Sequence, residues 1–173
     1  MKQSKRKIFT KLYKEHSSYM YGICLRYTKD TDDAQDVLQD GFIKVYNALD
    51  SFKGESKIKT WISRIMVNTA INHYRKKKVL NTYPIEENEV GGLNFDKIDV
   101  LNKMSADELL ELIKLLPEGY SLVFNLYVID ELKHKEIAKE LNISVGTSKS
   151  QLMRGRKKFE ELLYEKALIK LRK

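Results

Sequence analysis

The chain has 173 residues, 42% of them hydrophobic, and carries 32 Lys and Arg against 24 Asp and Glu for a formal net charge of +8. That length and apolar content suit a folded, soluble protein of one ordinary domain or two small ones. A single cysteine and three histidines in separate segments exclude an internal disulfide and a structural zinc cluster and point to the cytosol, and no run suits a signal peptide or a membrane span.

Only Pro84 and Pro117 interrupt the chain, and apolar residues return at three-and-four spacing, so the expected fold class is all-α. Phe9, Leu12, His16, Tyr19, Met20, Ile23, Cys24 and Tyr27 mark a first amphipathic helix over residues 6–28, with His16 read as a packed residue. Ala34, Val37, Leu38, Phe42, Val45 and Leu49 make a second stripe, with Asp32 or Asp33 placed to cap it. Calcium ligation starting from Asp30 fails, because Gln35 stands where the loop needs glycine and Gly41 where it needs glutamate. "FKGES", Phe52 to Ser56, is a short loop around Gly54. Ile58, Trp61, Ile62, Ile65 and Thr69 then mark a third helix running into the basic Arg75 to Lys78.

Residues 79–104 hold Pro84, Gly91 and Gly92 without a sustained period and read as a flexible acidic linker between two helical domains, 1–78 and 105–173. The charge follows that division. Residues 1–78 hold 17 Lys and Arg against 8 acids, residues 79–108 hold 2 against 7, and residues 109–173 hold 13 against 9. Two basic blocks flank an acidic one, which suits a polyanionic partner such as nucleic acid. Beyond the linker, Ser105 to Glu108 has the form of a capping box opening a helix through Leu109, Leu112, Ile113 and Leu116. Pro117 stops it and opens the next, with Leu122, Val123, Leu126 and Tyr127 inside.

The stretch from His134 to Phe159 has the features of a helix-turn-helix. Ile137 and Leu141 face inward, Ala138 is small where helices cross, Asn142 takes the left-handed turn position, and Ser144 caps the second helix. On that helix Ser148, Leu152, Gly155, Phe159 and Leu162 form the inner stripe. Ser148 stands where an apolar residue is normal, and its hydroxyl is expected to bond the preceding turn's carbonyl. The outer face is Thr147, Lys149, Ser150, Gln151, Met153, Arg154, Arg156 and Lys157. No acid lies between Val145 and Phe159. Amides, hydroxyls and arginines together are the set that reads base edges in the major groove, so duplex DNA is the expected partner of this face.

These residues resemble the extracytoplasmic-function group of bacterial sigma factors, the promoter-reading subunits of RNA polymerase. "DDAQDVLQDGFIKVYNALDSFKGESKIKTWISRIMVNTAINHYRKKK" is similar to that group's first conserved domain, and "LPEGYSLVFNLYVIDELKHKEIAKELNISVGTSKSQLMRGRKKF" to its second. The resemblance implies that Asp36, Gln39, Asp40 and Asn47 bind core RNA polymerase. It implies a pocket for a flipped base of the melted non-template strand at the minus-ten element, made by Phe52, Lys53, Gly54, Glu55, Ser56 and Lys57 with Asn68 below. Lys59, Arg64 and Arg75 would hold the DNA backbone there, with Lys76, Lys77 and Lys78. Trp61 reads as a core anchor rather than a base platform, and Ile58 replaces an aromatic common in the family.

In the second domain the resemblance assigns minus-thirty-five recognition to Thr147, Lys149, Ser150, Gln151, Met153, Arg154 and Arg156, with Lys133, His134 and Lys135 approaching phosphates. Gln151 stands where arginine is frequent. The linker's resemblance is one of character: its acidic residues, such as Glu86, Glu87, Glu89, Asp96 and Asp99, either mimic RNA charge in the polymerase's RNA path or are simply solvated, and an anti-sigma factor is the expected regulatory partner. No cofactor, metal or small-molecule substrate is implied. A stand-alone helix-turn-helix regulator is the alternative reading. An enzyme is disfavoured, because the chain lacks a glycine-rich phosphate loop, a nucleophile elbow and a paired-histidine metal motif.

Overall fold

Three-and-four spacing of apolar residues produces helices along the whole length that the computed structural model describes, residues 2–80 and 104–171, and no strand occurs among them. The chain divides into two units, Met1–Thr82 and Tyr83–Lys173. Helices α1 (Lys2–Tyr27), α2 (Thr31–Ala48) and α3 (Ile58–Leu80) make the first. Each packs on the other two, around Met20, Ile23, Val37, Phe42, Val45, Ile62, Met66 and Ile71. Asp30, rather than Asp32 or Asp33, caps α2, because the helix already begins at Thr31; its carboxylate accepts the Asp33 N–H at 2.8 Å.

Gly41 lets α2 and α3 approach closely: a Cβ there would fall 2.3 Å from the Met66 sulfur. One turn along, Lys44 Nζ donates to Thr69 Oγ1 at 3.0 Å, and His73 Nε2 lies 3.2 Å from Asp33 Oδ1, so polar contacts fix the same pair. Between α1 and α2 the rings of Phe9, Tyr13, Phe42 and Tyr46 meet with centroids 4.7–6.3 Å apart, and Lys5, paired with Asp50, lies over Tyr46. Burial pushes the Cys24 thiol up to about 12, which keeps it protonated and unreactive. Tyr19 departs from the apolar stripe assigned to it and stands 53% exposed.

In the second unit, α4 (Ala106–Lys114) opens on the expected capping box: Ser105 Oγ accepts the Glu108 N–H and the Glu108 carboxylate accepts the Ser105 N–H. Pro117 precedes α5 (Glu118–Phe124), which runs into a π-helical turn, Asn125–Ile129, that periodicity does not announce. Glu131 then takes a left-handed φ of 57°, and the Leu132 N–H returns to the Leu126 carbonyl, turning the chain into α6 (His134–Leu141). Asn142, also left-handed at φ 52°, makes the turn to α7 (Val145–Leu171). Leu122, Val123, Leu126, Ile137, Leu152, Phe159 and Leu163 fill the core, and a Cβ on Gly155 would press on Tyr120 at 3.3 Å. Helix α3 runs to Leu80, two residues into the linker expected over 79–104; residues 81–103, with the acidic positions named above, lie outside the described residues.

Candidate nucleic-acid interface

On α2 the inward stripe of Ala34, Val37, Phe42 and Val45 fixes which residues face out. Asp36, Gln39, Asp40 and Asn47 are all exposed, and their spacing of three, four and seven gathers them on one face. At its centre stands Ile43, 59% exposed. The sequence reading passed over Ile43, although it lies three residues past Asp40 and four before Asn47, off the apolar stripe. The face is thus an acidic and amide-bearing ridge with an apolar middle.

A short 3-10 turn, Leu49–Ser51, follows α2 and delivers Phe52, whose ring packs 5.0 Å from that of Trp61. From there Lys53, Gly54, Glu55, Ser56 and Lys57 form an exposed loop, and Gly54 at φ +75° supplies the left-handed bend that a side chain would strain. Lys57, Trp61, Arg64, Asn68 and Arg75 recur at helical spacing along the start and length of α3, so the loop, an aromatic ring and two guanidinium groups share one side. Lys59 does not join them. Its Nζ lies 3.5 Å from the Tyr19 ring centroid, a cation–π contact on α1 that accounts for both the lysine's placement and the tyrosine's exposed stance. The side chains of Lys77 and Lys78 lie outside the described residues.

Ser144 caps α7 as expected, accepting the Thr147 N–H at 2.9 Å, with the Thr147 hydroxyl 2.8 Å from its own. Lys149 and Met153 are the exposed residues at the middle of this face of α7, Met153 at 37%, flanked by the partly exposed Ser150, Arg154, Arg156 and Lys157. Gln151 is not on this face. It is 5% exposed and packs beneath α5, where its amide lies 3.5 Å from the position a Cβ on Gly119 would take. Its spacing from Ser148 and Gly155, three and four residues, puts it on the flank of the inner stripe.

Lys133 and Lys135 are exposed at the start of α6, with the Lys133 N–H held by the Glu136 carboxylate at 2.7 Å. His134 instead turns inward. Its Nδ1 lies 2.9 Å from the fully buried Ser148 hydroxyl, which therefore has a side-chain partner on α6 in place of the turn carbonyl expected for it. Desolvation, then Lys149 and Arg156, lower the imidazole below its ordinary pKa and favour the neutral ring.

A tight-turned helix pair whose second helix carries no acid from Val145 to Phe159 marks the second unit as a DNA-reading module. Residues 12–79 match the family model for Sigma-70 region 2, and residues 106–159 that for Sigma-70, region 4. The ECF RNA polymerase sigma-E factor of Escherichia coli (strain K12) is 36% identical over 160 residues, covering 87% of this chain and 83% of that protein. The ECF RNA polymerase sigma factor SigW of Bacillus subtilis (strain 168) is 31% identical over 173 residues, covering 94% and 92%. Among solved structures, the sigma factor RpoE from Bartonella quintana, in complex with the anti-sigma factor NepR, shares the fold with a TM-score of 0.53 at 21% identity, covering 91% of this chain and 98% of that one. The chain belongs to the ECF family of RNA polymerase sigma factors. It is a transcription initiation factor whose partners are core RNA polymerase and promoter DNA.

Proposed function

We propose a division of labour among three faces: the α2 ridge seats on core polymerase, the loop from Phe52 to Lys57 with the adjoining side of α3 takes the melted minus-ten strand, and the outer face of α7 reads the minus-thirty-five duplex. The observation that carries this reading is the contrast between two exposed faces. Asp36 and Asp40 share a face with an exposed isoleucine on α2, whereas Lys149, Met153 and Arg154 occupy a stretch of α7 without a single acid. An acidic ridge repels DNA and suits a basic protein surface; a cationic face with hydroxyls and guanidinium groups suits phosphates and base edges.

In the loop, Lys53 and Lys57 supply phosphate contacts and Phe52, backed by Trp61, supplies a stacking surface for an unpaired base. Asn68 and Arg64 stand along the same side of α3 to bond its edge and backbone. The chain itself performs no covalent chemistry in this reading; it positions DNA for the polymerase in the cytoplasm. No helix among the described residues is long and apolar enough to cross a membrane. The complex of Bartonella RpoE with NepR supports an anti-sigma antagonist for this chain too, one that would hide the polymerase-binding ridge.

Two measurements test the assignment. Purified protein should co-elute with bacterial core RNA polymerase, and an Asp36→Lys, Asp40→Lys double variant should not. In run-off transcription from a cognate promoter, Arg154→Ala should lower the yield while sparing co-elution. Full co-elution of the double variant refutes the ridge; undiminished transcription by Arg154→Ala refutes the reading of α7.

A further inference from the structure

Ser148, His134, Tyr127 and Arg156 come from three elements and form one connected set. The Ser148 hydroxyl, with no exposure, lies 2.9 Å from His134 Nδ1. The His134 ring stacks on Tyr127 with centroids 4.6 Å apart and planes 24° from parallel. The Arg156 guanidinium lies 5.6 Å from the centroid of that same Tyr127 ring.

An arginine on a bare helix face samples many rotamers, and fixing it on DNA costs conformational entropy. A guanidinium lodged beside an aromatic ring has surrendered part of that freedom in advance, and a guanidinium is the group that can make a bidentate contact to a base. The ring can do this only if it is itself held. The hydrogen bond between the α7 hydroxyl and the imidazole, and the stack of that imidazole on Tyr127, hold it.

We propose that Ser148, His134 and Tyr127 act as a brace that positions Arg156, so that base preference at the minus-thirty-five element depends on residues that do not touch DNA. The proposal rests on the reading of α7 as the duplex-reading helix. His134 is then a positioning residue rather than a phosphate contact. The neutral imidazole favoured by burial, Lys149 and Arg156 suits that role, because an imidazolium between two cations would push Arg156 away.

The test is selection of transcribed templates from a promoter library randomised across the minus-thirty-five element, using core polymerase reconstituted with each variant of the full chain. Arg156→Ala should flatten base preference at particular positions by about ten-fold. Tyr127→Leu should flatten the same positions, and Tyr127→Phe, which keeps the ring, should restore them. Ser148→Val, apolar at an inward position and so compatible with folding, should flatten them to a smaller extent, which keeps the test decisive if Tyr127→Leu does not fold. Arg154→Ala, read in parallel, reports on the helix independently of the brace. Preference lost in Arg154→Ala and Arg156→Ala but retained in Tyr127→Leu and Ser148→Val overturns the brace alone. No change in either arginine variant overturns the reading of α7 and the brace with it.

Discussion

Ile43 offers the sharpest test of how the first unit meets polymerase. It is 59% exposed in the middle of the ridge, and full burial of an isoleucine side chain contributes about 1.5–3 kcal/mol. Covering only the part that remains exposed contributes about 1–2 kcal/mol, which Ile43→Ala should forfeit as a roughly five- to thirty-fold rise in Kd for core polymerase. Folding should be nearly untouched, with a stability change within about 0.5 kcal/mol, because the side chain lies outside the core. The assay is a fluorescence titration of labelled protein with core polymerase at about 0.1 M and 0.5 M salt. Apolar contact is indifferent to screening, so the Ile43→Ala deficit should persist at both salts. The deficit of Asp36→Lys, Asp40→Lys should shrink at the higher one. A wild-type Kd for Ile43→Ala at both salts refutes the claim that this face is covered on assembly.

Gly41→Ala should destabilise the first unit by about 1–3 kcal/mol, because the new methyl meets a Met66 side chain that has no exposed side to retreat to. Fluorescence of the single tryptophan, Trp61, reads that unit's melting, and an unchanged midpoint would refute the close approach. Glu131→Gly should stabilise the second unit by about 1 kcal/mol, since φ 57° is strained for any residue with a Cβ; a midpoint at or below wild type in thermal denaturation contradicts this. For His134, whose folded-state pKa is lowered, the unfolded chain binds more protons between that lowered value and 6.5. The second unit's stability should therefore be full above 6.5 and fall as pH drops through that window. Melting of the wild type and of His134→Phe compared across this range checks it, and identical pH slopes would count against it.

Much of the fold was legible because periodicity and capping chemistry act locally. The stripe on α2, the Ser105 capping box and the left-handed Asn142 each depend on a few neighbouring residues, and each stands where the sequence puts it. The π turn at Asn125–Ile129 has no comparable sequence mark: Leu122, Val123 and Leu126 satisfy an ordinary helix equally well, and the packing of α5 on α7 is tertiary. The cap of α2 was misassigned by two or three residues for a related reason. Asp30, Asp32 and Asp33 all have the right chemistry, and only the backbone, extended at Asp30 and helical after it, selects among them.

Sites were harder to read than elements because residue type announces chemistry, whereas availability depends on which side of a helix is covered. Gln151 has the functional group of a base reader, yet α5 passes over it and removes it from the outer face; Ile43 has the look of core, yet nothing in its unit covers it. Lys59 and His134 make the same point for charge: Tyr19 engages the one and Ser148 with Tyr127 the other, so neither is simply poised for a phosphate. A helical wheel centred on the inner stripe already sets Gln151 beside Ser148 and Gly155, so that error was avoidable. The exposure of Ile43 was legible in the same way, since it lies off the α2 stripe between Asp40 and Asn47; the engagement of Lys59 was not, because it depends on where α1 places Tyr19, which no spacing within α3 encodes.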